Sequence, residues 1–309
     1  MSEFTLRPMR REEWSEVAEL IYVSTNFWYQ THGRPPIFTG PPESTQAFCQ
    51  IYEALDPGCC LVAVSHATGR IAGSCFYHPR ETHVSLGIMN AHPNYFHQGV
   101  ARRLLQAIIT IAEEANKPLR LVSSAINLDS FSLYNRAGFV PRTVYQDMLI
   151  TVPPEGISYT LPKGHRIRPA TLGDASAIAD LEREIAGIRR EKDYRYFIEN
   201  NDGFWHVSVL ETEQGTVEGF MTSVAAPASN MLGPGVARTQ EQAAALIAAE
   251  LNQHRGRSPV VLVPSQAATL VHTLYGWGAR NCELHFAQVR GPWQEPKGLL
   301  FPTFLPETG

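Results

Sequence analysis

The 309-residue sequence predicts an α/β protein in which one fold occurs twice in tandem. Three observations predict it. Apolar runs of strand period alternate with apolar runs of helical period along the whole chain. The stretch "TVPPEGISYTLPKGH" interrupts that alternation with three prolines, two glycines and no period of its own. After it, "RIRPATLGDASAIADLE" repeats the opening "TLRPMRREEWSEVAEL", with Arg168 and Pro169 standing where Arg7 and Pro8 stand. The expected organisation is a domain over residues 1–152, a linker over 153–164 and a second domain over 165–309, each long enough to bury a core.

The elements follow in order. "FTLRPM" reads as a strand, and Val17, Leu20 and Ile21 start an amphipathic helix. "NFWYQTHGRPPIFTGPPES", with four prolines and two glycines, is expected to be loop throughout. A short helix near Gln46 to Ala54 precedes strands at "CLVAV", "RIAGSCFYH" and "HVSLGIM", the last alternating Val84, Leu86 and Ile88. Ala101, Leu104, Leu105, Ile108, Ile111, Ala112 and Ala115 form one apolar helical face. Then come a strand "LRLVSS", a short helix "LDSFSLYNRA" closed by Gly138, and strand over 139–152. The second half reads as a strand "RIRP", a helix opened by Thr171 and Asp174 in a capping box, strands "WHVSVLE" and "TVEGFMTSVA", an Ala-rich helix, a strand "PVVLV" and a last strand "ELHFAQV". That count is about one helix short of the first half. The proline-rich apolar tail from Arg290 reads as a strap over a groove.

Composition narrows the function classes. A formal charge of −4 and no run of Lys and Arg exclude a general nucleic-acid or anionic-membrane binder. The five cysteines, Cys49, Cys59, Cys60, Cys75 and Cys282, show neither disulfide-rich density nor Cys/His metal spacing, so buried thiols and no metal are expected. With no signal-peptide core and no apolar run long enough to span a bilayer, a cytoplasmic location is expected.

The stretch "HPNYFHQGVARRLL" carries the chemistry. A helix begins near Gly99 or Val100, yet no Ser, Thr, Asp or Asn stands ahead to cap it. An uncapped helix start is an anion site, because its first N–H groups lack partners and the dipole favours negative charge. Gly99 lets backbone approach a ligand, Ala101 leaves room, and Arg102 and Arg103 suit phosphate better than they suit the dipole.

At these residues the chain resembles the GNAT superfamily of acyl-CoA-dependent N-acyltransferases. The family's pyrophosphate motif is Arg or Gln, two residues, Gly, one residue, then Gly or Ala; here Phe96, His97, Gln98, Gly99, Val100 and Ala101 occupy it, with Phe96 at the Arg/Gln position. A second family feature, an Asn followed seven residues later by a Tyr in a helix ending in Gly-Phe, is matched by Asn127, Tyr134 and "NRAGF". The resemblance implies two tandem GNAT-like domains, each a mixed, mostly antiparallel sheet flanked by helices. It implies acetyl-CoA as cosubstrate, with Met89, Asn90 and Ala91 offering backbone hydrogen bonds and Phe96 to Arg102 receiving the pyrophosphate. A primary amine, small-molecule or peptide, attacks the thioester directly; Tyr134 protonates the departing thiolate and Asn127 holds the pantetheine arm. Tyr134 also reads as a core aromatic and Asn127 as a helix cap. For the base, His83, Glu81 and Asp147 are the ionisable residues near strand ends, and the acceptor pocket would draw on Phe27, Trp28, Tyr29, His32, Phe38 and Glu43. The alternative is an acyl-CoA-binding sensor without turnover. A monomer or homodimer is expected.

The second half repeats the tetrapeptide Gly-Val-Ala-Arg in "GPGVART", but Thr239 and Gln242 there make a capping box, so that helix starts later with its donors occupied. Ala268 stands seven residues before Tyr275 where the first half has Asn127. The second copy is therefore expected to be degenerate.

Overall fold

A computed structural model describes residues 3–226 and 229–305. They divide into two compact units. Unit 1 holds the described residues of Met1–Pro79 and His83–Leu121, with Phe304 and Leu305; unit 2 holds those of Arg80–Thr82 and Val122–Thr303.

In unit 1, strands β1 (Phe4–Pro8), β2 (Cys60–Ser65), β3 (Ile71–Pro79) and β4 (Val84–Ala91) form an antiparallel meander, and β5 (Leu119–Ser124) joins β4 in parallel. Helices α1 (Trp14–Thr31), α2 (Gln46–Leu55) and α3 (Val100–Glu114) flank it. On α3 the buried residues are Val100, Leu104, Leu105, Ile108, Ile109 and Ala112, an i, i+4, i+8 stripe that sets the helix against the sheet. The expected loop from Asn26 is overturned over its first six residues, since α1 runs on to Thr31. "NFWYQT" contains no breaker, and the first glycine, Gly33, takes the left-handed φ of +72° just beyond the helix end.

Unit 2 contains α4 (Leu128–Arg136), β6 (Val140–Leu149), β7 (His165–Pro169), α5 (Ala175–Ala186), α6 (Glu191–Glu199), β8 (Trp205–Thr212), β9 (Val217–Ala226), β10 (Ser229–Ala237), α7 (Gln240–Leu251), β11 (Val260–Pro264), α8 (Ala268–Gly276), β12 (Arg280–Arg290) and β13 (Leu299–Phe301). The helix expected to be missing is present as α6. Its "EKDYRYFIE" is mostly polar and buries only Asp193, Tyr194 and Phe197, which hides its period in the sequence. "GPGVA", which carries the repeated tetrapeptide's first residues, is the end of strand β10.

The sheet of unit 2 runs β12-β6-β11-β10-β9-β8-β7. Strand β6 therefore lies between two strands from the second half of the chain, antiparallel to both, with Asp147 opposite Glu283 on one side and Leu262 on the other. Its Met148, with Ile150 and Val152 beyond it, packs into a core shared with Leu246, Val261, Val263, Leu270 and Leu274. Within unit 2, the Ala125 N–H donates to the Leu284 carbonyl of β12 at 2.8 Å.

Candidate active site

Two features of unit 1 open a strand edge. The parallel pairing of β4 with β5 is confined to Val84↔Leu119 and Ser85↔Arg120, so Met89, Asn90 and Ala91 lie beyond it on the β5 side. Opposite β3, the register shifts between Cys75↔Met89 and Tyr77↔Leu86, a bulge that re-aims the end of β4. Gly73 then fixes the helix that follows. A Cβ there would lie 2.5 Å from Val100 Cγ1 and 2.9 Å from the Asn90 carbonyl, so its absence lets the first residue of α3 pack directly on the β3–β4 pair.

The loop before α3 is exposed from His97 to Gly99, with Val100 buried as its anchor. Gly99 is the N-cap at φ +79°, and no side chain caps the helix. His97 also has positive φ, +63°, a conformation that costs a non-glycine residue about 1–3 kcal/mol and concentrates at functional sites. Polar side chains nearby are turned to other work: the Gln98 amide donates to the Asn94 carbonyl at 3.1 Å, and His92 Nδ1 accepts from the Asn94 N–H at 3.2 Å. The start of α3 thus keeps its N–H groups directed outward, with Arg102 exposed beside them. Phe96, where a guanidinium or amide was expected, packs edge-on against Phe27 at 5.9 Å between ring centroids.

Phe27, Trp28 and Tyr29 sit on the last turns of α1. Trp28 stacks on His32 at 4.1 Å, and Asn26 clasps Phe38 through two hydrogen bonds of 2.9 and 3.0 Å. Asn90 joins α1 to β4 by donating to Thr25 Oγ1 at 3.3 Å. Its Oδ1 and the Trp28 indole N–H, both buried, have no hydrogen-bond partner among the described residues. His83 is buried beside Ser85 at the opposite end of β4, roughly 20 Å along the strand from Met89–Ala91 at about 3.3 Å per residue.

Asn127, Tyr134 and Asp147 fall in unit 2. Asn127 caps α4, its Oδ1 accepting from the Ser130 N–H at 3.0 Å. Tyr134 is 7% exposed, its ring 5.8 Å from Phe139. Glu81 pairs with Arg189. Asp147 accepts from His285 Nδ1 at 2.9 Å, both side chains buried. His285, Glu283 and Ser124 were missed in the sequence. Their partners lie 138 and 159 residues away, and "ELHFAQV" carries only a strand pattern.

In the second half the corresponding features are closed. Strand β10 pairs β11 in parallel at Met231↔Val260 and Leu232↔Val261 only, as β4 pairs β5, but beyond that point β13 pairs its edge at Gly235↔Phe301, Val236↔Leu300 and Ala237↔Leu299. The start of α7 is capped: Thr239 Oγ1 accepts from the Gln242 N–H at 3.2 Å, and Gln242 accepts in return from Thr239 and Arg238.

Each half matches a model of acetyltransferases: residues 25–139 the acetyltransferase (GNAT) family, and residues 178–291 an acetyltransferase (GNAT) domain. The chain belongs to the GNAT acetyltransferases, as a tandem GNAT protein. Solved structures share the fold over nearly its whole length. An acetyltransferase candidate from Pyrococcus horikoshii has a TM-score of 0.74 at 14% identity, covering 99% of this chain and 96% of its own. A GCN5-related N-acetyltransferase from Sphaerobacter thermophilus has 0.65 at 18%, covering 96% and 99%. A tandem GNAT protein from the clavulanic acid biosynthesis pathway has 0.59 at 13%, covering 94% and 99%. A search of curated proteins finds no match. Among the described residues no group of His, Cys, Asp and Glu is arranged to hold a metal ion, and no helix is long and apolar enough to cross a membrane.

Proposed function

We propose that this protein transfers an acetyl group from acetyl-CoA to a primary amine by direct attack, using one cosubstrate site per chain. The observation that carries the reading is the contrast between two helix starts. At α3 the N–H groups are uncapped behind Gly99 in the left-handed region, whereas at α7 Thr239 and Gln242 occupy them. An anion of the size and charge of a pyrophosphate suits the first and is excluded by the second.

On this reading Gly99, Val100, Ala101 and Arg102 donate backbone N–H groups to the pyrophosphate, and Phe96, His97 and Gln98 shape the loop. The unpaired edge of β4 at Met89, Asn90 and Ala91 receives the pantetheine arm as a strand would, and β13 takes that place on β10. On the same reading the tail is a strap that, through β13 on β10, fills the slot of a degenerate second copy. Tyr134 carries the proton that the thiolate needs, and Asn127, with Oδ1 committed to its cap, keeps its amide N–H groups for the cosubstrate. The acceptor binds beside Phe27, Trp28 and Tyr29, where Asn90 Oδ1 and the Trp28 indole N–H offer one acceptor and one donor.

The test is CoA release and amine acetylation, followed by mass spectrometry, over a panel of polyamines, amino sugars and peptide N-termini. Acetylation of at least one amine above the uncatalysed rate is expected. Acetyl-CoA binding with no acetylation of any amine marks a sensor and overturns the reading.

A further inference from the structure

The acetyltransfer reading leaves the class of the amine open, and a cluster of buried polar atoms within unit 1 bears on it; the inference rests on that reading. Ser74 of β3 stands directly opposite Asn90 of β4, clear of the register shift, so their side chains project to the same side of the sheet. That side is the one α1 covers, because the Asn90 amide donates to Thr25 Oγ1 of α1 at 3.3 Å. Gly73, one residue earlier, faces the other way, onto Val100 and Leu104 of α3. Trp28 follows Thr25 by three residues, so it lies one turn along the same stripe of α1.

Three polar atoms on this seam are buried with no hydrogen-bond partner among the described residues: Ser74 Oγ, Asn90 Oδ1 and Trp28 Nε1. Ser74 is 0% exposed, and Val62, its neighbour on β2, is apolar and as deeply buried. Thr25, Trp28 and Asn90 are half-buried, so Ser74 is the deep end of the seam. The other buried polar side chains of α1 are committed, Ser24 to the Leu20 carbonyl at 2.7 Å and Asn26 to Phe38. Folded proteins leave few buried polar atoms unpaired, and three on one seam point to a ligand.

The chemistry of the three atoms selects that ligand. The Trp28 indole N–H only donates, Asn90 Oδ1 only accepts, and the Ser74 hydroxyl does either. An alkylammonium only donates and leaves the indole unmet; a carboxylate only accepts and leaves Asn90 unmet. A hydroxyl or a primary carboxamide satisfies both. Residues 20–31 of α1, and all of β3 and β4, contain no Lys, Arg, Asp or Glu, so the elements that bound the seam supply no counter-charge. We propose that Ser74, Asn90 and Trp28 form a specificity site for an uncharged group of the acceptor. The acceptor is then a primary amine bearing a hydroxyl or carboxamide, such as an amino alcohol or amino sugar, in preference to a polyamine or a free amino acid.

The experiment assays the full chain with acetyl-CoA against 3-aminopropanol, butylamine and 1,3-diaminopropane, which match in length and differ in the terminal group, with glucosamine and glycinamide alongside. Rates are referred to free amine, so differences in basicity cancel. In wild type, kcat/KM for 3-aminopropanol should exceed that for butylamine or 1,3-diaminopropane by about tenfold or more. Trp28→Phe and Ser74→Ala each remove one polar group at nearly constant shape, and each should narrow that ratio by about fivefold or more. Asn90→Asp sets a carboxylate in the same place and should shift the preference toward 1,3-diaminopropane by about tenfold, which a merely structural role does not do. Each ratio is taken within one variant, so a loss of activity common to all amines drops out, and circular dichroism checks that each variant is folded. A wild type that acetylates butylamine as well as 3-aminopropanol, or a ratio that the folded variants leave unchanged, overturns this inference alone and marks the seam as a place for structural water. A wild type that binds acetyl-CoA and acetylates no amine of this set or of the wider panel overturns the acetyltransfer reading itself.

Discussion

Gly99 is where residue identity matters most to the proposed phosphate site. Its φ is +79°, and no atom lies within 4 Å of where an added methyl group would stand, so a side chain is resisted by backbone conformation and not by crowding. Asn tolerates that conformation and Asp has the same shape with a negative charge, so the pair separates strain from electrostatics. Gly99→Asp should weaken acetyl-CoA binding about tenfold or more beyond Gly99→Asn, measured by calorimetry; equal affinities would remove the phosphate from this loop. At Tyr134, loss of the hydroxyl in Tyr134→Phe should lower kcat by about 10²-fold with acetyl-CoA affinity retained, and an unchanged kcat would end the acid assignment. Legibility at this scale follows sequence distance. Gly99, Ala101, Asn127 and Tyr134 stand out because a loop and a short helix place them by local spacing. His285 meets Asp147 only because β12 pairs with β6, and no local pattern announces a pairing across 138 residues.

Helices and strands were read well where their period was strong and poorly where tertiary packing set their limits. The long face of α3 and the capping box of α7 were plain; α6 was hidden by its polar surface, and the end of α1 by the prolines that follow it. Strand β13 was not read as a strand, since pairing with β10 gives "LLF" its conformation. Two variants probe elements directly. Thr239→Ala removes the cap of α7 and should cost about 1 kcal/mol in urea unfolding without affecting acetyl-CoA binding. Gly73→Ala drives a methyl into Val100 and the Asn90 carbonyl, and should cost about 1–3 kcal/mol while displacing the start of α3, so acetyl-CoA affinity falls with stability. On β8, His206 donates to Glu250 of α7 at 2.9 Å, and that hydrogen bond raises the imidazole pKa above its ordinary value. A raised folded-state pKa stabilises the fold below the unfolded value of about 6.5, and that contribution is lost as pH rises through the folded value. The Tm advantage of wild type over His206→Gln should therefore shrink between pH 6 and pH 8; a constant difference would assign the effect to packing.

Over the whole molecule, the doubled organisation was legible because the two openings share "RP" after a strand and the prolines between the halves break every period. What the sequence could not reveal is that the last strand of the first half, β6, is built into a sheet of second-half strands, since a strand's period of two specifies a buried face but no neighbour. The two halves also differ in two features on which the proposed function rests. The first keeps an uncapped helix start and an open strand edge, and the second fills both with its own residues. The most direct measurement is calorimetric titration of the full chain with acetyl-CoA. One site per chain, weakened strongly by Gly99→Asp, is the predicted result; two equivalent sites, or one site indifferent to Gly99→Asp, would contradict the account.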